Sequence, residues 1–286
     1  MADYFRQKGA IVTTFSRKGC EQHEGLASLL EPAILSQLDA VLHFGWGTVP
    51  KDSEEKQGVE WQKDIPFISR LTQALGQLAE KKRPYLIFSS TGAVYGECAN
   101  EPAVERMTVA PKSYYAAGKV AAEKLLQQYS ERGLGKVAIL RISNLYGAKG
   151  VSRVPQGVIA KLAESFHKNT RPTIWGDGTA TKDYLHVDDF CEAVYRVLAG
   201  RLEGVWNLCT GTSHSLLEVL SIFSKHLKWN PDCAFHAHPP WDVEKTNLSP
   251  KKLITATGWL PKIGLEDGIR NFLSASAGCQ QKGKKA

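Results

Sequence analysis

Paired cysteines are missing from this chain of 286 residues. The six that it has are scattered and form no CxxC pair: they are Cys20, Cys98, Cys191, Cys209, Cys233 and Cys279. A disulfide-stabilised secreted domain and a zinc ribbon both need paired or closely spaced cysteines, so the sequence favours neither. Unpaired cysteines are typical of a reducing compartment, and the sequence therefore predicts a cytoplasmic protein.

Long apolar runs are missing as well. No segment approaches the roughly 20 apolar residues that cross a bilayer, and the N-terminus is charged from Asp3 onward, unlike a signal peptide. The basic clusters, one of which is Lys81, Lys82 and Arg83, do not alternate with aromatic residues as in nucleic-acid-binding segments. We therefore expect neither membrane insertion nor nucleic-acid binding, and we attribute the net charge of +7 to a ligand that carries phosphate.

A glycine-rich turn that could hold a diphosphate is the third absence. Such a turn follows a strand and opens a helix, so that backbone N–H groups can reach the phosphates. The best string match, from Gly133 to Ala138, precedes a strand and predicts only the end of a helix and a turn. Gly45 and Gly47 do follow a strand, but Pro50 and the acidic loop after it do not open a glycine-anchored helix.

What the sequence does contain is an alternation of short apolar runs and longer amphipathic segments. With 43% hydrophobic and 23% charged residues, the chain has enough apolar material for a packed interior. The predicted strands are Ala10–Phe15, Ala40–Phe44, Tyr85–Ser89, Val137–Ile142 and Val205–Leu208, and the predicted helices include Trp61–Lys81 and Tyr114–Arg132. This order predicts an α/β fold with a doubly wound, Rossmann-like parallel sheet. A smaller C-terminal α/β half is expected after Gly147, where proline and glycine become more frequent.

A tyrosine and a lysine four residues apart share one face of a helix and can act as a proton-transfer pair. Tyr115 and Lys119 have this spacing, and so do Tyr4 and Lys8, because the spacing alone is common in a lysine-rich chain. Only the first pair follows a strand that ends in hydroxyl residues, the last of which is Thr91. Since ligands bind at the carboxyl ends of parallel strands, we expect Thr91, Tyr115 and Lys119 to form a site.

Two further groups of residues carry weaker signals. Cys233, His236 and His238 are of the types that bind zinc, but no fourth ligand has a familiar spacing, and we predict no metal site. Asp188 and Asp189 precede an apolar helix, whose first turn acidic residues stabilise, and we interpret this pair as capping.

Seven segments, taken in order, resemble motifs of the extended short-chain dehydrogenase/reductase family, in particular its NAD-dependent epimerases and dehydratases. They are AVLHFGWGTVP, FSSTGAVYGE, PKSYYAAGKVAAEKLL, LRISNLYGAKG, TIWGDGTATKDYLHVDDF, VWNLCTGTSHSLLEV and ATGWLPKIGLEDGI. The second and third resemble the family patterns SSxxVYG and PxSxYxxSKxxxE. The first is most similar to the UDP-glucose 4-epimerase-like branch.

The resemblance implies a role for each residue of the expected site. Tyr115 looks like the acid/base that takes a proton from a sugar hydroxyl while hydride leaves the same carbon for the nicotinamide. Lys119 would hold the nicotinamide ribose and lower the pKa of Tyr115, so that both residues contact the cofactor. Thr91 stands where the family has a serine or threonine whose hydroxyl binds the reacting oxygen of the substrate.

The resemblance also implies other ligand contacts. Arg17, Phe44 and Gly45 stand at positions that contact the dinucleotide. An arginine at the position of Arg17 sometimes binds a 2′-phosphate, so the cofactor can be NAD or NADP. Asn144 and Lys182 stand where the family contacts the nucleotide-diphosphate sugar. Lys182 replaces the usual arginine, and a lysine ammonium cannot bind a diphosphate in a bidentate manner.

The reaction that the resemblance implies is NAD-dependent 4-epimerisation of a nucleotide sugar, through a transient 4-ketosugar to which hydride returns on the other face. One-way reduction of a ketosugar is the alternative. Dehydration is disfavoured, because Gly92 and Ala93 stand in place of the Asp-Glu pair of the dehydratases. Relatives form a four-helix dimer interface through helices that resemble Trp61–Lys81 and Tyr114–Arg132, so we expect a homodimer.

Against the family pattern, Ala10–Phe15 matches the second strand, and the first strand, the glycine-rich turn and most of the first helix are missing. Three explanations are open: a start assigned at an internal methionine of an active enzyme, a truncated and catalytically inactive nucleotide-sugar-binding module, or an inert remnant. The retention of the site residues favours the first or a recent truncation. We expect residues 1–147 with 183–209 to form the dinucleotide domain, residues 148–182 with 210–276 the substrate domain, and residues 277–286 a basic tail.

Overall fold

The computed structural model of the chain describes residues 1–17, 24–98, 101–147 and 157–283. Its α-helices are α1 (Ala2–Gln7), α2 (Pro32–Leu35), α3 (Pro50–Glu55), α4 (Ile65–Gln77), α5 (Tyr114–Glu131), α6 (Val158–Lys168), α7 (Val187–Ala199), α8 (Leu216–Leu227), α9 (Lys251–Thr257) and α10 (Leu265–Gly283). A π-helical turn, Glu60–Asp64, leads into α4, and short 3-10 turns cover Ser28–Leu30, Glu80–Lys82 and Gly92–Tyr95. Residues 284–286 of the predicted basic tail lie outside the described residues.

The strands of the described residues belong to four sheets. They are β1 (Phe15–Ser16), β2 (Glu24–Gly25), β3 (Ala40–His43), β4 (Tyr85–Thr91), β5 (Val137–Ile142), β6 (Asn144–Tyr146), β7 (Thr173–Trp175), β8 (Thr181–His186), β9 (Gly204–Leu208), β10 (Ser213–Ser215) and β11 (Ala234–His236). The largest sheet has the order β3-β4-β5-β9, and β3 runs parallel to β4 with Ala40 opposite Tyr85 and His43 opposite Phe88. This arrangement confirms the predicted α/β class with a parallel sheet.

The large sheet is buried because the greater part of each central strand is apolar. Every residue of β5 is buried, and so is β4 as far as Ser90. Such continuous burial is typical of parallel strands with helices on both faces. Helices α4 and α5 contribute Leu71, Leu75 and Leu126 to the same core, and each of these three side chains is fully buried.

Helix α5 begins at Tyr114, as predicted, and ends at Glu131, one residue before the predicted Arg132. Its N-cap is Ser113, whose hydroxyl accepts a hydrogen bond from the backbone N–H of Ala116 at 3.1 Å. Its end is followed by Gly133 at a φ of 68°, a conformation that glycine adopts at no steric cost. The glycine string that begins at Gly133 is therefore a helix end, as predicted, and not a phosphate turn.

The predicted strand Ala10–Phe15 is wrong in extent. Only Phe15 and Ser16 are paired, and they pair in parallel with Glu24 and Gly25 in a two-stranded sheet that is separate from the large one. Ile11 is fully exposed. An apolar run becomes a strand only where neighbouring strands satisfy its backbone groups, and in the described residues β3 has no neighbour other than β4.

By their internal contacts the residues form two compact units. The first contains Met1–Tyr95, Thr108–Arg141 and Ala193–Trp206, and the second contains Gly96–Met107, Ile142–Glu192 and Asn207–Ala286. The predicted boundaries between a dinucleotide domain and a substrate domain stay a prediction.

The second unit is built on smaller sheets. Strand β8 pairs antiparallel with β10 and parallel with β6, and β7 pairs with β11. Asp189 organises the chain before α10: its Oδ2 accepts from the backbone N–H groups of Lys262 and Ile263 at 3.0 and 2.9 Å, and its carbonyl accepts from the Trp259 indole. The predicted capping role of Asp189 thus understates what this side chain does, although it does lie in the first turn of α7.

Helices that could span a membrane are not found among the described residues. The cysteines Cys98, Cys191, Cys209 and Cys233 are free thiols. No group of three or more histidine, cysteine or acidic side chains is placed to hold a metal ion in the described part of the chain.

Candidate active site

The carboxyl end of β4 and the first turns of α5 form the centre of the site. Thr91 ends β4 half-buried, and its hydroxyl accepts from the backbone N–H of Ala93 at 3.2 Å. Tyr115 and Lys119 lie one turn apart on α5. The Lys119 ammonium donates to the carbonyl of Ser89 at 2.6 Å, two residues before Thr91. The structure thus brings the lysine of the predicted pair against the strand end that carries the predicted hydroxyl.

Lys119 is enclosed by aromatic rings. Its side chain is 1% exposed, and Nζ lies 4.0 Å from the ring centroid of Trp46, 4.8 Å from that of Phe88 and 5.8 Å from that of Tyr115. Burial disfavours the charged form and lowers the pKa of Lys119 to about 7, against the opposing effect of the Asp64 and Glu123 carboxylates. Near neutral pH both the charged and the neutral form of this lysine are therefore populated.

The pKa of Tyr115 differs from the sequence-based expectation. Lys119 was expected to lower it, but burial, followed by the negative charges of Asp64 and Glu60, raises the pKa of Tyr115 to about 12. The two carboxylates favour the neutral phenol for the same reason that a nearby ammonium would favour the phenolate. At neutral pH Tyr115 therefore carries its proton in this structure.

Two buried carboxylates stand on the π-helical turn before α4. Glu60 is fully buried, and its Oε1 accepts from the Ser53 hydroxyl at 2.6 Å and from the Thr48 hydroxyl. Asp64 is 4% exposed, and its Oδ1 accepts from Arg17 at 2.5 Å and from the backbone N–H of Gly47 at 3.0 Å. Burial raises the pKa of Asp64. Such π-helical turns are frequent at functional sites.

Four polar atoms around Lys119 and Tyr115 are buried without a hydrogen-bond partner in the described residues. They are His43 Nδ1, Trp46 Nε1, Glu60 Oε2 and Asp64 Oδ2. A buried polar group without a partner is costly, and such groups at one place in a fold indicate a position for a ligand. The set contains both a donor, the indole N–H, and acceptors, the carboxylate oxygens.

Gly118 makes room for one of these carboxylates. A Cβ at this position would lie 2.9 Å from both Cβ and Cγ of Glu60 and 3.4 Å from Cζ2 of Trp46. Carbon atoms in contact are normally 3.5 to 4.0 Å apart, so even an alanine would overlap Glu60. The family pattern has serine here, and the glycine of this chain permits the close approach of Glu60 to α5.

The other predicted cofactor contacts lie around the end of β3. Phe44 is half-buried and Gly45 is exposed directly after the strand. The ring of His43 stacks between Phe67 and Phe88, with centroids 5.5 and 5.7 Å apart, and burial lowers its pKa to about 4, so that it is neutral at pH 7. Arg17 is held by Asp64, with half of its side chain exposed.

The two predicted substrate contacts belong to the second unit. Asn144 is on β6, and its amide donates to the carbonyl of Asp183 at 3.1 Å. The Lys182 ammonium is 3.0 Å from a carboxylate oxygen of Asp242 and also donates to the carbonyl of Val243. Lys182 is thus already neutralised by an acidic neighbour.

Sequence reasoning missed the buried carboxylates. Glu60 and Asp64 have helical spacing, but acidic residues four apart usually lie on a solvent-exposed face, so no signal in the sequence separates them from surface charges. In the sequence, Glu123 was recognised only as the glutamate of the family pattern PxSxYxxSKxxxE, with no role assigned to it. In the structure it accepts from Ser90 and from both Nε and Nη2 of Arg141, at 3.1 and 2.7 Å, and so fixes α5 against β4 and β5.

Comparison with known proteins places this site in context. Residues 1–209 match the model of the NAD dependent epimerase/dehydratase family. The UDP-glucose 4-epimerase of Mycolicibacterium smegmatis is 32% identical over 184 residues, which are 63% of this chain and 58% of that protein. The UDP-glucose 4-epimerase of Bacillus subtilis is 28% identical over 253 residues, which are 81% of this chain and 73% of that protein.

Solved structures show the same fold. The UDP-glucose 4-epimerase of Thermus thermophilus, in complex with NAD, is 29% identical with a TM-score of 0.85, and the match covers 96% of this chain and 94% of that one. In the sequence comparisons the chain spans about 60% of the length of the Mycolicibacterium smegmatis protein and of a Methanocaldococcus jannaschii relative. Because the family model covers well over half of the chain, this protein belongs to the NAD-dependent epimerase/dehydratase family of extended short-chain dehydrogenases/reductases.

Proposed function

We propose that the protein with this chain is an NAD-dependent nucleotide-sugar 4-epimerase. The observation that carries the proposal is the placement of Tyr115 and the buried Lys119 on α5, against the strand that ends in Thr91. The relatives named as UDP-glucose 4-epimerases support the choice of reaction. They also support a UDP-sugar as the substrate.

NAD fits the residues around Lys119 at its nicotinamide end. An amide and two ribose hydroxyls both donate and accept hydrogen bonds, and the buried atoms without partners, Trp46 Nε1 and the free oxygens of Glu60 and Asp64, offer both kinds of partner. Arg17 is bound to Asp64, which leaves it less available to a 2′-phosphate and favours NAD over NADP. The described residues contain no glycine-rich turn for the diphosphate, so the fit covers the nicotinamide end alone.

The side chains of the site would act together to remove the proton of the C4 hydroxyl and to return it. NAD, when bound, supplies the acceptor for a hydride from C4 of the sugar and returns it. Thr91 donates a hydrogen bond to the C4 oxygen, which steadies it as it becomes a carbonyl. The Tyr115 phenol would first give its proton to neutral Lys119, and the resulting ammonium would stabilise the phenolate. The phenolate would then take the C4 hydroxyl proton as hydride leaves C4, and the phenol would return that proton after the ketosugar has turned.

The remaining parts of the proposal rest on the resemblance. Asn144 and Lys182 are proposed to contact the nucleotide-diphosphate sugar, and residues 148–182 with 210–276 to form the substrate domain. A cytoplasmic homodimer, paired through α4 and α5, is proposed as the working form. Reduction of a ketosugar is the alternative reaction for the same residues.

Replacement of the tyrosine tests the proposal. In the full-length natural protein, Tyr115→Phe removes the proton carrier without changing the shape of the site, so C4 epimerisation of UDP-glucose should fall by at least about 100-fold. Binding of UDP, measured by calorimetry, should stay unchanged. Tyr4→Phe is the matched control, because Tyr4 belongs to the other tyrosine-lysine pair of the chain, and it should leave the rate as it is. Undiminished epimerisation in Tyr115→Phe would reject the assignment.

A further inference from the structure

A basic cavity of about 440 Å³ opens on the first unit, away from the residues described so far. Three parts of the chain form its wall: the turn before β3, the turn before β4, and Arg201, which lies two residues after the end of α7. The lining residues are Ser36, Gln37, Leu38, Asp39, Lys81, Lys82, Arg83 and Arg201. The cavity includes the basic cluster Lys81 to Arg83, which lies between α4 and β4. This cluster has no part in the proposed reaction.

The cavity carries a surplus of positive charge. Four cationic side chains line it, with Asp39 as the single acidic one, which gives a net charge of +3. Arg83 has a structural task, because it donates to the carbonyls of Leu78 and Gly76 at 2.9 and 3.3 Å and so caps the end of α4. Within the described residues, Lys81, Lys82 and Arg201 form no ion pair with a carboxylate.

Arg201 is kept in a conformation that suits glycine better. It follows α7 by two residues with a φ of 44°, and its backbone N–H donates to the carbonyl of Leu198 at 3.1 Å. A residue with a side chain at such a position is strained relative to glycine. A cation near a helix C-terminus is favourable in itself. Lys228 at the end of α8 has the same conformation, with a φ of 49°, and lies outside the cavity, so it provides a matched comparison.

The cavity is far from the candidate active site. Asp39 directly precedes β3 and Arg83 precedes β4, so the cavity lies at the amino ends of these parallel strands. Thr91 is at the other end of β4. A strand of seven residues spans roughly 20 Å at about 3.3 Å per residue. An occupant of the cavity therefore cannot be the reacting part of a substrate bound at Thr91.

We propose that this cavity binds a small anion with two or more linked phosphate groups. Three cations without ion-pair partners suit an anion of several charges, and Arg201 can bind a phosphate in a bidentate manner. Gln37 adds an amide as a hydrogen-bond donor, whereas the Ser36 hydroxyl donates to the carbonyl of Ala33 at 3.5 Å. The lining contains no aromatic residue on which a base could stack, so the phosphates, and not a nucleobase or a nucleic-acid strand, are the part that is recognised.

Lysine acylation, followed residue by residue with mass spectrometry, tests this proposal with inorganic tripolyphosphate as the probe. At constant ionic strength, tripolyphosphate should slow the acylation of Lys81 and Lys82 and leave Lys228 unchanged. Inorganic monophosphate should protect them at least about tenfold less well, because it makes fewer contacts. Protection of Lys182 alone would place the anion at the proposed substrate contact and would overturn the proposal.

Two glycine substitutions decide whether the cavity itself is responsible. Arg201→Gly removes one cation from the cavity and relieves the strained backbone, so it should fold at least as well as the parent. Its apparent affinity for tripolyphosphate should fall about fivefold, the size expected for one exposed ionic contact. Lys228→Gly makes the same change of charge and backbone elsewhere and should leave the affinity unchanged. Equal losses in both variants would show a general effect of net charge, and no loss in Arg201→Gly would reject the site.

Discussion

Gly118→Ala is the substitution for which the structure gives the most definite expectation. The added methyl would lie 2.9 Å from Cβ and Cγ of Glu60. Glu60 is fully buried and its carboxylate is held by Ser53 and Thr48, so it cannot swing away without losing hydrogen bonds. Overpacking of this kind costs about 1–3 kcal/mol. Alanine gains about 0.5–1 kcal/mol over glycine within a helix, so the net loss should be about 0–2.5 kcal/mol.

Gly76→Ala is the matched control, since Gly76 also lies in a helix, α4. The nearest atom to its added methyl would be Cδ1 of Leu134 at 3.9 Å, an ordinary contact. This variant should therefore gain about 0.5–1 kcal/mol from helix propensity alone. The difference between the two variants isolates the contact with Glu60 and should be about 1–3 kcal/mol.

Urea unfolding, followed by far-UV circular dichroism, measures both variants against the parent chain. Gly118→Ala should unfold at a lower urea concentration than Gly76→Ala, with an unchanged slope of free energy against urea. If Gly118→Ala proves as stable as Gly76→Ala, Glu60 does not pack on α5 as described. The assignment of its carboxylate to the site would then be wrong.

Two further predictions concern the pH dependence of stability and the second unit. The pKa of Lys119 is about 7 in the folded chain and near 10.5 in the unfolded chain. Between these pH values the unfolded chain therefore binds one proton more than the folded chain. The free energy of unfolding of the parent, relative to that of Lys119→Met, should accordingly rise between pH 7 and 9. Urea unfolding at several pH values measures this, and a constant difference would contradict the buried position of Lys119. Asp189→Asn should cost about 1–3 kcal/mol in urea unfolding, because Asp189 Oδ2 holds two backbone N–H groups, whereas Asp188→Asn, at an exposed side chain, should cost under about 0.5 kcal/mol. Equal effects of the two would refute the role given to Asp189.

The sequence predicts the centre of this fold well, because the features that define its strands and helix lie within the segments themselves. Strands β4 and β5 are apolar for most of their length, and α5 has both a serine cap and a glycine after its end, so pattern and boundaries agree closely. The strand Ala10–Phe15 has the same apolar character but remains mostly unpaired. Strand formation depends on a partner, which no property of the segment itself can reveal.

The residues of the candidate site, whose roles stay a prediction, could be named from the sequence, but their electrostatics could not. The spacing and the family resemblance select Thr91, Tyr115 and Lys119, and the structure joins Lys119 to the strand that carries Thr91. The pKa of Tyr115 rises and does not fall because Tyr115 is buried and because the carboxylates of Asp64 and Glu60 lie in the interior beside it. Burial of a charged side chain is a tertiary effect that sequence patterns do not encode.

The fate of the hydrogen at C4 tests the central claim most directly. UDP-glucose that carries deuterium at C4 would be incubated with the full-length natural protein and NAD in ordinary water, and the products examined by NMR. Transient oxidation at C4 predicts UDP-galactose that keeps the deuterium, because the hydride leaves and returns without contact with solvent. Loss of the deuterium to water, or the absence of epimerised product from a folded protein that binds both ligands, would contradict the proposed chemistry of Tyr115, Lys119 and Thr91.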